Sequence, residues 1–265
     1  MRLLAAHGLR PDTDLGQHFL IDENLADLAV REGRVAADDV VLEVGAGVGV
    51  LTVALARAAR HVHTVEIDRR LEPALAEALT GVSGVDVVWG DAMRVPLEAL
   101  DPPPTALVAN LPYSVATPLV VESTWRLPGV TRWAVMVQRE VADRWTARPG
   151  SRLYGAPTVL LSLCTEVVFR RAVGREVFTP RPRVDSAFVV LTRTGPGAAP
   201  EVRSLVRAAF ASRRKTLANG LAAAGRAKAE VRDALAAAGL PEDVRPEAVA
   251  PATYRDLARE LRWTP

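Results

Sequence analysis

Apolar and polar positions change rhythm several times along this chain. Two segments of period 3.6 open it, "RLLAAHGL" and "DENLADLAVREG". In the second, Asp22 stands where an N-cap accepts the first free backbone N–H groups, and Gly33 where a helix stops. Short apolar runs then alternate with helical stretches. "VVLEVG" (Val40–Gly45) leads into "GVLTVALARAA", and "HVHTVEID" (His61–Asp68) leads into "RRLEPALAEAL". "VDVVWGDA" (Val85–Ala92) and "TALVANLP" follow, and "TRWAVMVQ" (Thr131–Gln138) leads into "REVADRWTA". Strands apolar on both faces and separated by helices predict right-handed crossovers and a parallel sheet covered on both sides.

From about Pro157 the rhythm changes. "TVLLSLCTEVVFRRAV" and "SAFVVLTR" predict strands with no helix between them, so the sheet should finish in an antiparallel pair. "TGPGAAP" is a Gly/Pro-rich linker. Beyond it, "EVRSLVRAAFASRRKTLANGLAAAG", "KAEVRDALAAAGL" and "ATYRDLARELRW" predict helices with glycine stops. The expected organisation is an α/β domain over residues 1–193, a linker over 194–199 and a small all-helical domain over 200–265.

Composition narrows this picture. At 265 residues, 49% hydrophobic and 24% charged, the chain can bury a sizeable core and is not a disordered protein. A single cysteine, Cys164, excludes a disulfide framework and fits a reducing compartment. No run of about 18 apolar residues occurs and the first residues lack a signal-peptide core, so a cytoplasmic protein without a membrane partner is expected. Net charge is only +2, yet the cations are almost all arginine, with Lys215 and Lys228 the two lysines. Residues 139–183 and "SRRK" (Ser212–Lys215) are locally basic while residues 38–98 lean acidic, an asymmetry that suits a polyanionic partner.

Ligands of open α/β sheets bind beyond the carboxyl ends of the strands, so the residues there carry the chemistry. The first strand ends in "EVGAGVG", where Gly45, Gly47 and Gly49 allow a tight turn and close approach of backbone to a ligand. The second ends at Glu66, twenty-one residues after Gly45, where a carboxylate can accept both hydroxyl hydrogens of a ribose. The third ends in "GDA", where Asp91 can accept from an adenine amino group. These positions describe a nucleoside pocket; a phosphate-binding lysine is missing.

The fourth strand ends in Asn110, Leu111, Pro112 and Tyr113. An exocyclic adenine amine is a weak nucleophile because its lone pair is delocalised into the ring. An Asn side-chain oxygen and the next residue's carbonyl, both accepting its hydrogens, would localise that lone pair. Pro112 stiffens the turn that aims them, and Tyr113 offers a face on which an extruded base can stack. None of the four histidines has metal-ligand spacing: His61 and His63 alternate along one strand, so no metal is expected.

Seven motifs in order, "LGQHFL", "EVGAGVGVLT", "VEID", "GDA", "NLPY", "FTPRPRVDSAFVVL" and "ASRRKTLANGL", resemble those of the ribosomal RNA adenine dimethylase family, and the small-subunit branch most. The resemblance spans essentially the whole chain. It implies a Rossmann-like S-adenosylmethionine-dependent methyltransferase sheet with a helical RNA-recognition domain. It implies S-adenosyl-L-methionine as cofactor. The implied substrate is two adjacent adenosines in the 3′-terminal hairpin loop of small-subunit (16S) ribosomal RNA, each becoming N6,N6-dimethyladenosine. Partners would be that RNA or the pre-30S particle, met by a monomer.

Carried onto this sequence, the resemblance puts His18 and Leu20 in a segment closing over the cofactor and Gly45 and Gly47 in the glycine turn. It puts Glu66 on the ribose and Asp91 on the adenine. Asn110, Leu111, Pro112 and Tyr113 form the reaction centre, with Phe178 flanking the target base from the other side. Arg181, Arg183, Arg213, Arg214 and Lys215 are expected on RNA phosphates. His18 stands where the family usually has Asn, and Ala46 where it often has Pro. The competing readings are a large-subunit dimethylase conferring macrolide resistance and a ribosome assembly factor without catalysis.

Overall fold

The computed structural model describes residues 2–12, 16–212 and 214–264. Its elements run α1 (Arg2–Ala6), β1 (Phe19–Leu20), α2 (Glu23–Glu32), β2 (Val40–Val44), α3 (Val50–Ala58), β3 (His61–Glu66), α4 (Glu72–Ala78), β4 (Val85–Trp89), β5 (Ala106–Asn110), α5 (Ala116–Arg126) and β6 (Arg132–Gln138). They continue with α6 (Arg139–Trp145), α7 (Ala156–Ser162), β7 (Thr165–Val173), β8 (Phe178–Thr179), β9 (Ser186–Arg193), α8 (Pro200–Phe210), α9 (Leu217–Ala223), α10 (Lys228–Ala237) and α11 (Pro251–Glu260). Among the described residues no helix is long and apolar enough to cross a membrane.

Seven strands form one sheet in the order β4-β3-β2-β5-β6-β9-β7. The pairs from β4 through β6 are parallel and β9 runs antiparallel to β6. This is the mostly parallel, doubly covered sheet with an antiparallel end that the apolar runs predict. Every residue of β2 is buried, as expected for a central strand with helices on both faces. The crossover order places the carboxyl ends of β2, β3, β4 and β5 along one rim.

Local chemistry explains the element ends. Asp22 caps α2, accepting from the Asn24 and Leu25 N–H groups. Gly33 ends that helix with ordinary right-handed dihedrals, and the left-handed residue is Arg34 (φ 50). Gly33 is required by packing instead, since a Cβ there would lie 2.9 Å from that of Ala134 on β6. At the far end of α5 the Arg193 guanidinium donates to the carbonyls of Thr124, Leu127 and Val130 while lying 5.0 Å from the Trp133 ring centroid. It thereby satisfies the Thr124 and Leu127 carbonyls that the helix end leaves open and the Val130 carbonyl in the turn beyond.

Three features differ from the sequence pattern. The first part of the apolar run 158–173 is helix α7, not strand; a short apolar run has no periodicity to separate the two. The long segment after the linker is two helices, α8 and α9, with Ser212, Arg214 and Lys215 outside both. Finally, the chain divides into a unit of residues 1–142 and 167–193 and a unit of residues 143–166 and 194–265. The sequence pattern puts 143–166 with the first domain. Long-range bonds put them with the second: the buried Tyr154 hydroxyl donates to the Val249 carbonyl at 2.8 Å, and Gly150 N–H to Glu247 at 2.6 Å. The Phe210 ring packs against both Tyr154 and Tyr254 in that unit's core.

Beneath the glycine turn, Glu43 of β2 is fully buried, with one carboxyl oxygen accepting from Thr52 Oγ1 at 2.7 Å. Burial pushes its pKa from 4.5 up to about 7. Between those values the folded chain holds a proton that the unfolded chain has released. Stability from this group is therefore complete below pH 4.5 and falls as pH rises through about 7. Urea titrations of wild type and Glu43→Gln across that window should show the wild type losing stability relative to the variant as pH rises, the amide having no proton to lose.

Candidate active site

A cavity of about 210 Å³ opens in the first unit at the carboxyl rim of the sheet. Its lining includes His18, Leu20, Gly45, Gly47, Glu66, Asp91, Asn110, Leu111, Pro112 and Tyr113. Ten positions scattered over nearly a hundred residues of sequence thus meet in one place.

Glu66 organises the floor. It closes β3 and is 5% exposed, and its two carboxyl oxygens accept from Gly47 N–H and Asp68 N–H, each at 2.9 Å. Burial raises its pKa against the lowering effect of those bonds. Each oxygen keeps a second lone pair for a ligand hydroxyl. Gly47 needs to be glycine twice over: its φ is +56, and a Cβ would meet the Phe19 ring at 2.8 Å. At Gly45 (φ +86) an added Cβ would lie 3.5 Å from the Asn110 carbonyl oxygen, in the cavity wall. Asp91 accepts from Met93 N–H through one oxygen and pairs with the exposed Arg94 at 3.5 Å through the other.

The segment before β1 is strapped to the end of β3. Gln17 Nε2 donates to Asp68 at 2.7 Å, and Gln17 Oε1 accepts from Asp12 N–H at 2.7 Å. Arg70 bridges Asp68 and Asp12 and holds the Asp68 carboxyl below its ordinary pKa. Leu15, the first residue of "LGQHFL", lies outside the described residues.

At the end of β5 the Asn110 amide faces the His18 carbonyl at 3.0 Å. A carbonyl can only accept, so the amide nitrogen is fixed on that side and Oδ1 remains an acceptor. Neither Asn110 Oδ1 nor the Leu111 carbonyl accepts a hydrogen bond among the described residues. The Tyr113 ring lies 5.7 Å from that of His18, tilted by 33°, and its hydroxyl shares a 2.8 Å bond with Ser186. His18 Nδ1–H donates to the Pro180 carbonyl at 2.8 Å, tying the strap to the loop "FTPRP".

Phe178 departs from expectation. It opens β8, which pairs antiparallel with β1 in the register Leu20↔Phe178, and its side chain is 2% exposed in the hydrophobic core beside Phe188 and Val173. Phe178 is not among the residues that line the cavity. Arg181 and Arg183 follow on an exposed loop and form no ion pair among the described residues. Arg214 and Lys215 are exposed in the second unit, just before α9; Arg213 lies outside the described residues. Sequence reasoning misses Ile67, Phe19 and Gln17 as wall and strap. The available signal was Ile67, an apolar residue directly after a strand-ending acid, which the structure leaves 51% exposed at the cavity.

The ribosomal RNA adenine dimethylase family matches residues 8–261. A ribosomal RNA small subunit methyltransferase A from Thermobifida fusca is 44% identical over 97% of this chain and 92% of its own. One of the same name from Deinococcus radiodurans is 42% identical over 98% of this chain and 88% of its own. Among solved structures, a dimethyladenosine transferase from Plasmodium falciparum superposes with TM-score 0.73 at 24% identity, covering 91% of this chain and 96% of that one. The 23S rRNA methyltransferase ErmE superposes with TM-score 0.65 at 29% identity, covering 92% and 99%.

The cofactor of these enzymes is S-adenosylmethionine, and the cavity fits it: two left-handed glycines bare the backbone and a buried carboxylate keeps free lone pairs. Glu66→Gln should weaken S-adenosylmethionine binding by about tenfold to a hundredfold, since an amide must turn its NH2 toward one backbone N–H. By calorimetry, wild-type binding should weaken as pH falls into the raised range of Glu66, because the protonated acid gives up an acceptor. The variant should show no such slope.

Proposed function

The chain belongs to the ribosomal RNA adenine dimethylase family, and from that premise we propose how its residues perform the reaction and which RNA they meet. It is an S-adenosylmethionine-dependent rRNA (adenine-N6,N6)-dimethyltransferase acting on small-subunit (16S) ribosomal RNA. The target is a pair of adjacent adenosines in the 3′-terminal hairpin loop. The observation that carries the mechanism is the pair of partnerless acceptors, Asn110 Oδ1 and the Leu111 carbonyl, on cavity-lining residues at the end of β5.

S-adenosylmethionine, when bound, supplies a methyl group already activated by its sulfonium, so the transfer calls for no Lewis acid and no strong base. The protein's task is alignment. Glu66 takes the ribose hydroxyls, Asp91 the adenine amino group, and the backbone at Gly45 and Gly47 lies against the ligand. Asn110 and Leu111 accept the two hydrogens of the target amine and draw its lone pair out of the ring. Pro112 holds that turn, and the Tyr113 ring, anchored through Ser186, stacks on the extruded base. After one transfer the amine keeps one N–H, so the same clamp can act again.

Arg181 and Arg183 in the catalytic unit, with Arg213, Arg214 and Lys215 before α9, supply the cations for RNA phosphates. The C-terminal helices select the RNA context, either on free RNA or in the pre-30S particle, and the chain works as a monomer. Asn110→Ala should abolish methylation while leaving S-adenosylmethionine affinity within about threefold, a change of less than 1 kcal/mol. Mass spectrometry of RNA incubated with the purified protein reads the product. Dimethyladenosine in the small-subunit RNA and none in the large-subunit RNA is expected; the reverse would move the assignment to the large-subunit reading, and normal methylation by Asn110→Ala would overturn the mechanism.

A further inference from the structure

The opposite rim of the sheet carries a second group of chemically capable side chains. His61 and His63 lie on the same face of β3, two residues apart, and Asp86 of β4 is the register partner of His63. Asp86 Oδ2 lies 3.0 Å from His61 Nε2 and 3.7 Å from His63 Nδ1, and all three ligand-type atoms fall within 4.8 Å of one another. The two imidazole rings stand edge to face with centroids 4.4 Å apart.

The state of His63 is what makes this more than an ion pair. It is 2% exposed, and its Nε2 lies 2.8 Å from the Pro102 carbonyl, which can only accept. Nε2 therefore carries the hydrogen, and Nδ1 is the ring nitrogen that faces the Asp86 carboxylate, at a distance too long for a hydrogen bond. A hydrogen bond from His61 reaches Asp86 but leaves His63 Nδ1, beside the same carboxylate oxygen, without a hydrogen-bond partner among the described residues. A cation shared by the three atoms would engage both ring nitrogens and the carboxylate at once.

The dimensions fit a zinc-class ion. Ligands at about 2.0–2.1 Å in a tetrahedron stand about 3.3–3.4 Å apart, between the two separations observed. A metal-bound histidine ordinarily donates its other N–H to a carbonyl, as His63 does to Pro102. Side-chain exposure of 18% for His61 and 58% for Asp86 leaves the outer side open to a fourth ligand such as water.

We propose that His61, His63 and Asp86 form a binding site for a divalent transition-metal ion, tying β3 to β4 and, through His63, to the loop carrying Pro102. His61 opens β3 and Glu66 closes it, about 16 Å away at an ordinary strand rise. The ion is therefore structural and independent of methyl transfer. Spacing along one strand does not reveal it, because the third ligand arrives only through sheet register.

The test uses the full chain without an affinity tag, stripped with a chelator and titrated with Co²⁺ alone and with Zn²⁺ alone. One Co²⁺ per chain with visible-region absorption, displaced by Zn²⁺, is expected. His61→Gln and Asp86→Asn should each weaken binding by about tenfold or more, whereas His7→Gln, at the separate His7–Glu77 pair, should not. Zn²⁺ should raise the thermal midpoint of the wild type and leave both variants unmoved. Both substitutions fall on ligands less buried than His63, so each protein remains measurable. No saturable binding, or binding unchanged in both variants, would overturn the proposal.

Discussion

Two backbone N–H groups on one buried carboxylate hold the active rim together. Glu66 takes one bond from Gly47, in the turn after β2, and one from Asp68, in the turn after β3. Those two turns form adjacent walls of the cavity, so a single side chain sets their spacing. The arrangement works because Gly47 adopts a left-handed conformation that aims its N–H inward, and because Phe19 occupies the space a Cβ would need. Burial opposes ionisation of Glu66 and the two N–H groups favour it, which keeps a hydrogen-bond acceptor in a largely apolar cavity.

Much of this rim is legible in the sequence because it depends on short-range rules. Parallel strands buried on both faces read as unbroken apolar runs, and the residue that ends each run is a candidate for the site. That logic identifies Glu66, Asp91 and Asn110 and the cavity brings them together. What is not legible depends on long-range contacts. The run 158–173 carries no period that separates its helix from its strand, and long-range contacts, such as those of the neighbouring Tyr154 and Gly150 with residues 247–249, draw its helical part to the second unit while most of β7 stays with the first. Phe178 is apolar and next to a proline-rich loop, features that suit either a wall or a core; pairing of β8 with β1 sends it to the core. The Gln17–Asp68–Arg70 strap joins residues some fifty positions apart and leaves no periodic trace.

Polar groups in the interior follow one rule with different outcomes. Glu43 accepts from Thr52 on one oxygen, and full burial shifts its carboxyl toward the neutral form. Asp68 sits beside a guanidinium and shifts the other way. Arg193 donates to three main-chain carbonyls at and beyond the end of α5. For the two acids the surroundings, burial at Glu43 and a guanidinium at Asp68, rather than the residue type decide which charge state the fold favours.

The contact between residue 18 and Asn110 has a consequence for how this position can vary. Asn110 is oriented by the main-chain oxygen of residue 18, which any amino acid supplies. The side chain of residue 18 has a separate duty, a donor to the Pro180 carbonyl, performed here by an imidazole Nδ1. The amide nitrogen of asparagine sits at the same branch position, one bond beyond Cγ, and offers the same hydrogen. Histidine for asparagine is thus an exchange between two residues that present one donor at one reach, and the orientation of Asn110 does not register which of them is present.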